Sequence, residues 1–116
     1  MGKIVLLMTS IFILTVVGAC ADSEDKGAET ITFEKGRMPA VVFPHRLHQE
    51  KLDNNCNACH DLFPKQKGII KQMISQGKLK KQQVMNSKCI KCHNERKNEG
   101  LAAGPTKCTQ CHVRPK

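Results

Sequence analysis

Cys56-Asn57-Ala58-Cys59-His60, Cys89-Ile90-Lys91-Cys92-His93 and Cys108-Thr109-Gln110-Cys111-His112 are the three stretches from which the rest of the chain is read. Each is Cys-x-x-Cys-His, the pattern of c-type haem attachment. The spacing has a physical reason. Two cysteines three apart sit about one helical turn from each other. Both sulfurs then lie along one haem edge and can form thioethers with its two vinyl groups. The adjacent histidine points at the iron and becomes the proximal ligand. Six of the seven cysteines and three of the five histidines are used in this way, and every Cys-x-x-Cys pair is followed by His. Three covalently bound haems, with their irons, are the expected cofactors. Cys56, Cys59, Cys89, Cys92, Cys108 and Cys111 would attach them, and His60, His93 and His112 would be proximal.

Two other readings of the thiols compete. Cys89-x2-Cys92 and Cys108-x2-Cys111 are separated by 15 residues, a zinc-ribbon spacing. That reading leaves Cys56, Cys59 and the three following histidines unexplained. A disulfide framework suits an exported domain, but it gives no reason for His after each pair.

The chain of 116 residues has room for one small domain. Its start reads as an export signal. Lys3 supplies the positive charge, and residues 4–17 are almost wholly apolar. This run is shorter than the roughly 20 residues of a membrane-spanning helix, so a cleavable signal over residues 1–19 is preferred to a permanent anchor. Val17-Gly18-Ala19-Cys20 resembles a bacterial lipobox, while Ala19-Cys20-Ala21 fits an ordinary A-x-A cleavage site. The lipobox is favoured because Cys20 is the one cysteine left over. An acylated Cys20 would tether the domain to a membrane in the periplasm without spanning it. With Lys3 removed, eighteen basic against ten acidic residues leave a charge of +8. Such a charge attracts anionic partners. Nucleic acid is excluded by export and by the lack of Trp and Tyr for stacking bases.

Residues 20–29 are polar and read as a tether, leaving 30–116 as the functional domain. Residues 30–33 and 41–43 are short β-prone runs around a turn and predict a hairpin. Pro44 ends it, and 45–53 predicts one or two helical turns. The longest helical signal is 65–85, where Ile70, Met73 and Ile74 share a face, Gly77 breaks or ends the helix, and Val84-Met85 begins or continues another. Residues 88–116 are expected as loops and short turns around the cysteines. No acidic residue occurs over 62–94, which carries eight lysines. That stretch reads either as a solvated face or as a docking patch. Phe33, Phe43 and Phe63 are the only aromatics after residue 19. So thin a core needs a staple, and three flat macrocycles would supply it. The expected fold is a small haem-filled domain, mostly α and irregular, with a short N-terminal β-hairpin.

Two histidines remain for the far side of the irons. His45 and His48 stand at i and i+3, on one side of a helical turn, and each can reach a different haem. Phe43-Pro44-His45-Arg46-Leu47-His48 followed by three Cys-x-x-Cys-His motifs resembles the three-haem cytochrome c7 family, small relatives of the class III cytochromes c3. Gly104-Pro105-Thr106-Lys107-Cys108 adds to the likeness, which covers about residues 31–112. The resemblance implies a cytochrome c3/c7-like fold and the ligand pairs His45 with His60 and His48 with His93. It fails in two places. The interval between the first and second motifs is longer, by an inserted segment around 65–83. And where the family places a third distal histidine, four residues before the first Cys of the second motif, this chain has Met85. A thioether is a legitimate sixth ligand that raises the potential. Met73 or Met38 as ligand, an open iron, and Met85 as core filler are the alternatives.

The expected function is an electron carrier, not an enzyme, with no catalytic residues. It would pass electrons between periplasmic redox proteins that dock through acidic surfaces. The resemblance implies a relay from a membrane quinol-linked donor to outer-membrane or extracellular acceptors. The competing reading is a haem enzyme or sensor that binds small molecules at an open third haem.

Overall fold

A computed structural model describes residues 25–34 and 36–115. The expected signal over 1–19, acylation at Cys20 and the first half of the tether lie outside the described residues. Among the described residues no helix is long and apolar enough to cross a membrane.

The hairpin forms as the β-prone runs predict. Strands β1 (Ile31–Phe33) and β2 (Val41–Phe43) pair antiparallel, with Ile31 opposite Phe43 and Phe33 opposite Val41. These four side chains are half-buried, while Thr32 and Val42 face solvent. This is the alternation of a two-sided ribbon. Pro44 follows at once and leads into helix α1 (His45–Lys51). Residues 26–29, the second half of the expected tether, are docked on this helix. Glu29 O accepts from Arg46 N at 2.9 Å, Gly27 O from the Arg46 guanidinium at 3.1 Å, and Lys26 O from Gln49 Nε2 at 2.7 Å.

The motif helices are short: α2 (Asn57–His60) and, near the end, α5 (Cys108–Cys111). Between the first two motifs lies α3 (Ile69–Ser75). It is shorter than the 65–85 signal because Gly68, at φ 74, precedes it and Gly77, at φ 69, closes it. The closure is a Schellman turn: Lys78 N donates to Met73 O at 2.8 Å and Gly77 N to Ile74 O at 3.1 Å. Gly77 therefore ends the helix, as expected.

Residues 85–98 correct the sequence reading. The loops expected from residue 88 onward are in part a continuous helical rod. A π-helical turn (Met85–Ile90) runs straight into α4 (Lys91–Asn98). The stretch Lys-Cys-His-Asn-Glu-Arg-Lys-Asn has no apolar stripe, so periodicity could not reveal it. A Schellman turn at Gly100 ends α4, with Leu101 N donating to Arg96 O at 2.8 Å.

The striking lack is of a core. Among the described residues only Leu79 is buried, at 3% exposure, and it belongs to the segment after α3. Elsewhere the apolar side chains are half-covered at best.

Candidate haem centre

All five histidines are held in one way. Nδ1 of each ring lies against a backbone carbonyl: His45 on Ala28 O (2.8 Å), His48 on Pro44 O (2.9 Å), His60 on Phe63 O (3.3 Å), His93 on Pro105 O (2.6 Å) and His112 on Pro39 O (2.7 Å). A carbonyl oxygen only accepts, so Nδ1 must carry the proton. Nε2 is then left with a free lone pair. This is the arrangement of a metal-binding imidazole, whose other nitrogen is pinned to fix ring orientation and tautomer.

Four of the rings face each other in pairs. The His45 and His60 centroids are 6.3 Å apart with planes at 84°, and those of His48 and His93 are 6.2 Å apart at 28°. A metal ion between two imidazoles, with bonds of about 2 Å and nitrogens about 1.1 Å from their ring centres, sets the centroids about 6.3 Å apart. The pairs thus have room for one iron each, and a direct stack would be far closer. Phe43 lies beside both His48, at 4.3 Å, and His45, at 6.2 Å. Phe63 stands edge-on to His60 at 5.2 Å.

His112 has no imidazole opposite. It lines a small apolar cavity with Met85, Cys89, Ile90, Pro105, Cys108 and Cys111. Met85 is therefore brought to the third motif, although it lies in the turn that carries Cys89. Met38 and Met73 do not line this cavity. The six motif cysteines are all unbridged. Burial pushes the thiols of Cys59 and Cys89 above their ordinary range. Among the described residues no three His, Cys, Asp or Glu side chains gather into a metal cage. The residues thus fit haem, which takes two axial ligands and two thioethers, better than zinc.

The family described as "Cytochrome c7 and related cytochrome c" matches residues 41–113. The chain belongs to the cytochrome c7 family. It is 35% identical over 86 residues to cytochrome c7 of Geobacter metallireducens, covering 73% of this chain and 76% of that one. It is 31% identical over 87 residues to a cytochrome c3 of Desulfuromonas acetoxidans, covering 75% of this chain and 100% of the other. Among solved structures it is similar to PpcC, a cytochrome c7 from Geobacter sulfurreducens, at 32% identity and a TM-score of 0.47, covering 76% of this chain and 100% of that one.

As a cytochrome c7 the chain is a multihaem c-type cytochrome of electron transfer, with c-type haem as its iron-bearing cofactor. Its fold is the small domain of this family, mostly helical and irregular with one hairpin. Sequence reasoning did not foresee the five carbonyl acceptors. They lie from 3 to 73 residues away from their histidines, and backbone atoms leave no signature in residue identity. The one available signal was proline: three of the five acceptors are Pro39, Pro44 and Pro105, residues that fix the local backbone.

Proposed function

We propose that this cytochrome c7 carries three haems and works as a periplasmic electron relay. Cys56 and Cys59, Cys89 and Cys92, and Cys108 and Cys111 hold them. His45 with His60 and His48 with His93 would hold the irons of the first two, and His112 with Met85 that of the third. The observation that carries this reading is the common state of the five histidines, each with Nδ1 spent on a carbonyl and Nε2 free, four of them spaced for one iron per pair.

Each haem, when bound, supplies a one-electron iron couple. The protein's part is to hold the ligands still. The carbonyl bonds fix each ring's rotation, and a second protein ligand on each iron would keep small molecules out. Met85 shares the His112 cavity, and its thioether favours the ferrous state and raises the third potential. This is the physical ground for preferring a carrier to an enzyme or sensor with an open iron.

The donor and acceptor are redox proteins with acidic docking faces. Lys71 pairs with Glu34, Lys88 with Asp61 and Lys91 with Glu95. Lys65, Lys67, Lys78, Lys80 and Lys81 stay exposed without an acidic partner among the described residues. Lys80 and Lys81 also edge an open polar cleft with Gln82, Gln83, Asn86 and Ser87. Charges so placed steer brief encounters. Cys20, acylated after loss of residues 1–19, anchors the domain to a membrane face.

Intact mass of the protein from its native host tests the count and the anchor together. Three haem increments and a lipid on Cys20 are expected; a colourless or two-haem polypeptide would overturn the reading. A high-spin component that binds carbon monoxide would move the third haem to the enzyme or sensor class.

A further inference from the structure

We propose that Gly104 is a positioning residue for the second haem: lacking a side chain, it lets the 102–106 segment close on His93 and set the angle of its ring. This rests on the reading that His93 and His48 ligate one iron.

A Cβ at position 104 would fall 2.7 Å from His93 Nε2 and 3.0 Å from Nδ1, and closer still to Cε1. Real Cβ atoms do not tolerate such approaches. Gly104 is not in the left-handed region, so backbone conformation does not demand glycine there. The imidazole does.

The segment has little freedom to retreat. Pro105 O accepts from His93 Nδ1 at 2.6 Å, Ala102 O accepts from Arg96 Nε at 3.1 Å, and Thr106 Oγ1 accepts from Lys97 Nζ at 3.2 Å. Residues 93, 96 and 97 share one face of α4, so the segment is fastened along that face at three points. Pro105 restricts its own φ and the conformation of Gly104 before it. A methyl group at 104 must therefore turn or push the ring, or break the Pro105 bond. The ring lies at 28° to His48. That angle sets the splitting of the iron d orbitals and hence the paramagnetic signature of the ferric haem. The His45–His60 pair, at 84°, has a different signature and serves as an internal reference.

The test compares three-haem holoprotein of Gly104→Ala with Gly36→Ala, a glycine with open space around its Cβ position and no positive φ. Electron paramagnetic resonance and redox titration are read haem by haem. Gly104→Ala should shift or abolish the signal of the near-parallel haem and change its ferric-to-ferrous ratio at fixed potential several-fold. The near-perpendicular haem and the Gly36→Ala protein should match wild type. Unchanged spectra and potentials in Gly104→Ala would overturn the proposal. If Gly104→Ala yields no holoprotein, the same change is made beside Arg96→Ala and Lys97→Ala, which unfasten the segment and let it retreat from the ring. Recovery of holoprotein supports the clash with His93, and equal failure refutes it. If His48→Ala leaves every haem signal at wild type, the ligation reading fails, and the inference with it.

Discussion

Phe43→Ala should loosen two haems and spare the third. Phe43 is a half-buried ring at the end of β2, 6.0 Å from Phe33, 6.2 Å from His45 and 4.3 Å from His48. Truncating a fully buried Phe costs about 3–5 kcal/mol. Partial exposure lowers this to roughly 2–3 kcal/mol, with part of it from the aromatic pairs at about 0.5–1.5 kcal/mol each. For a domain of this size 1 kcal/mol is worth about 4–8 °C, so the melting temperature should fall by roughly 10–20 °C. The loss is not spread evenly. His48 loses its nearest ring and His45 a farther one, whereas His112 is held from Pro39 and lines a cavity with Met85 that Phe43 does not line. Thermal melting of the holoprotein, followed at haem and far-ultraviolet wavelengths, gives the total. Haem-resolved redox titration gives its distribution, with the largest change at the His48 haem and a smaller one at the His45 haem. Equal changes at all three haems, or a melting temperature within about 2 °C of wild type, would refute the idea that Phe43 supports the distal pair.

Met85→His should lower the potential of one haem and leave the other two in place, because imidazole favours ferric iron relative to a thioether; Met85→Ala should add a high-spin band, and unchanged potentials in both variants would reduce Met85 to packing. Leu79→Ala should cost about 2–3 kcal/mol, seen as faster amide exchange over residues 69–79 with the haem spectra intact. Asp61 carries a carboxyl below its ordinary range, first through its hydrogen bond to Lys88 Nζ at 2.7 Å. A carboxyl lowered by folding stabilises the fold above its unfolded value, and that stability is lost as pH falls through the lowered folded value. Melting should therefore decline below about pH 4, and Asp61→Asn should flatten that part of the curve.

The sequence made the chemistry legible before the shape. Three Cys-x-x-Cys-His motifs specify their own geometry, because the i, i+3 spacing needs a helical turn and nothing else. The hairpin was legible from two β-prone runs around a turn and from Pro44, which ends it. The rod through residues 85–98 was not, since a helix with a haem against it needs no apolar stripe of its own. For α3 the end at Gly77 was legible and the start was not. Ile70, Met73 and Ile74 give the face, but Gly68 and Gly77 in the left-handed region set the ends. Met85 was legible only as a misfit with a family pattern. The π-helical turn that begins there and carries it to the His112 cavity follows no rule of residue type.

Two sources of stability divide this chain. Leu79, just after α3, is the one buried side chain among those described, and there ordinary apolar burial contributes. The remainder has hydrogen-bonded turns, a two-stranded ribbon and half-covered side chains, too little to offset the chain entropy of ordering it. Its histidines are nonetheless already oriented, each by a backbone carbonyl, local for His48 and His60 and from farther along the chain for His45, His93 and His112. The polypeptide therefore supplies direction and the cofactor supplies mass. The segment inserted between the first two motifs, around 65–83, holds no cysteine or histidine, so lysines there add charge without replacing a candidate haem residue. That is where Lys65, Lys67, Lys78, Lys80 and Lys81 stand. Reversing Lys80 and Lys81 to glutamate should accordingly weaken encounters with an acidic redox protein and flatten their salt dependence, while the three potentials stay within a few millivolts' reach of their surface-charge effect. Stopped-flow rates against ionic strength would decide it, and rates unchanged at low salt would place the docking face elsewhere.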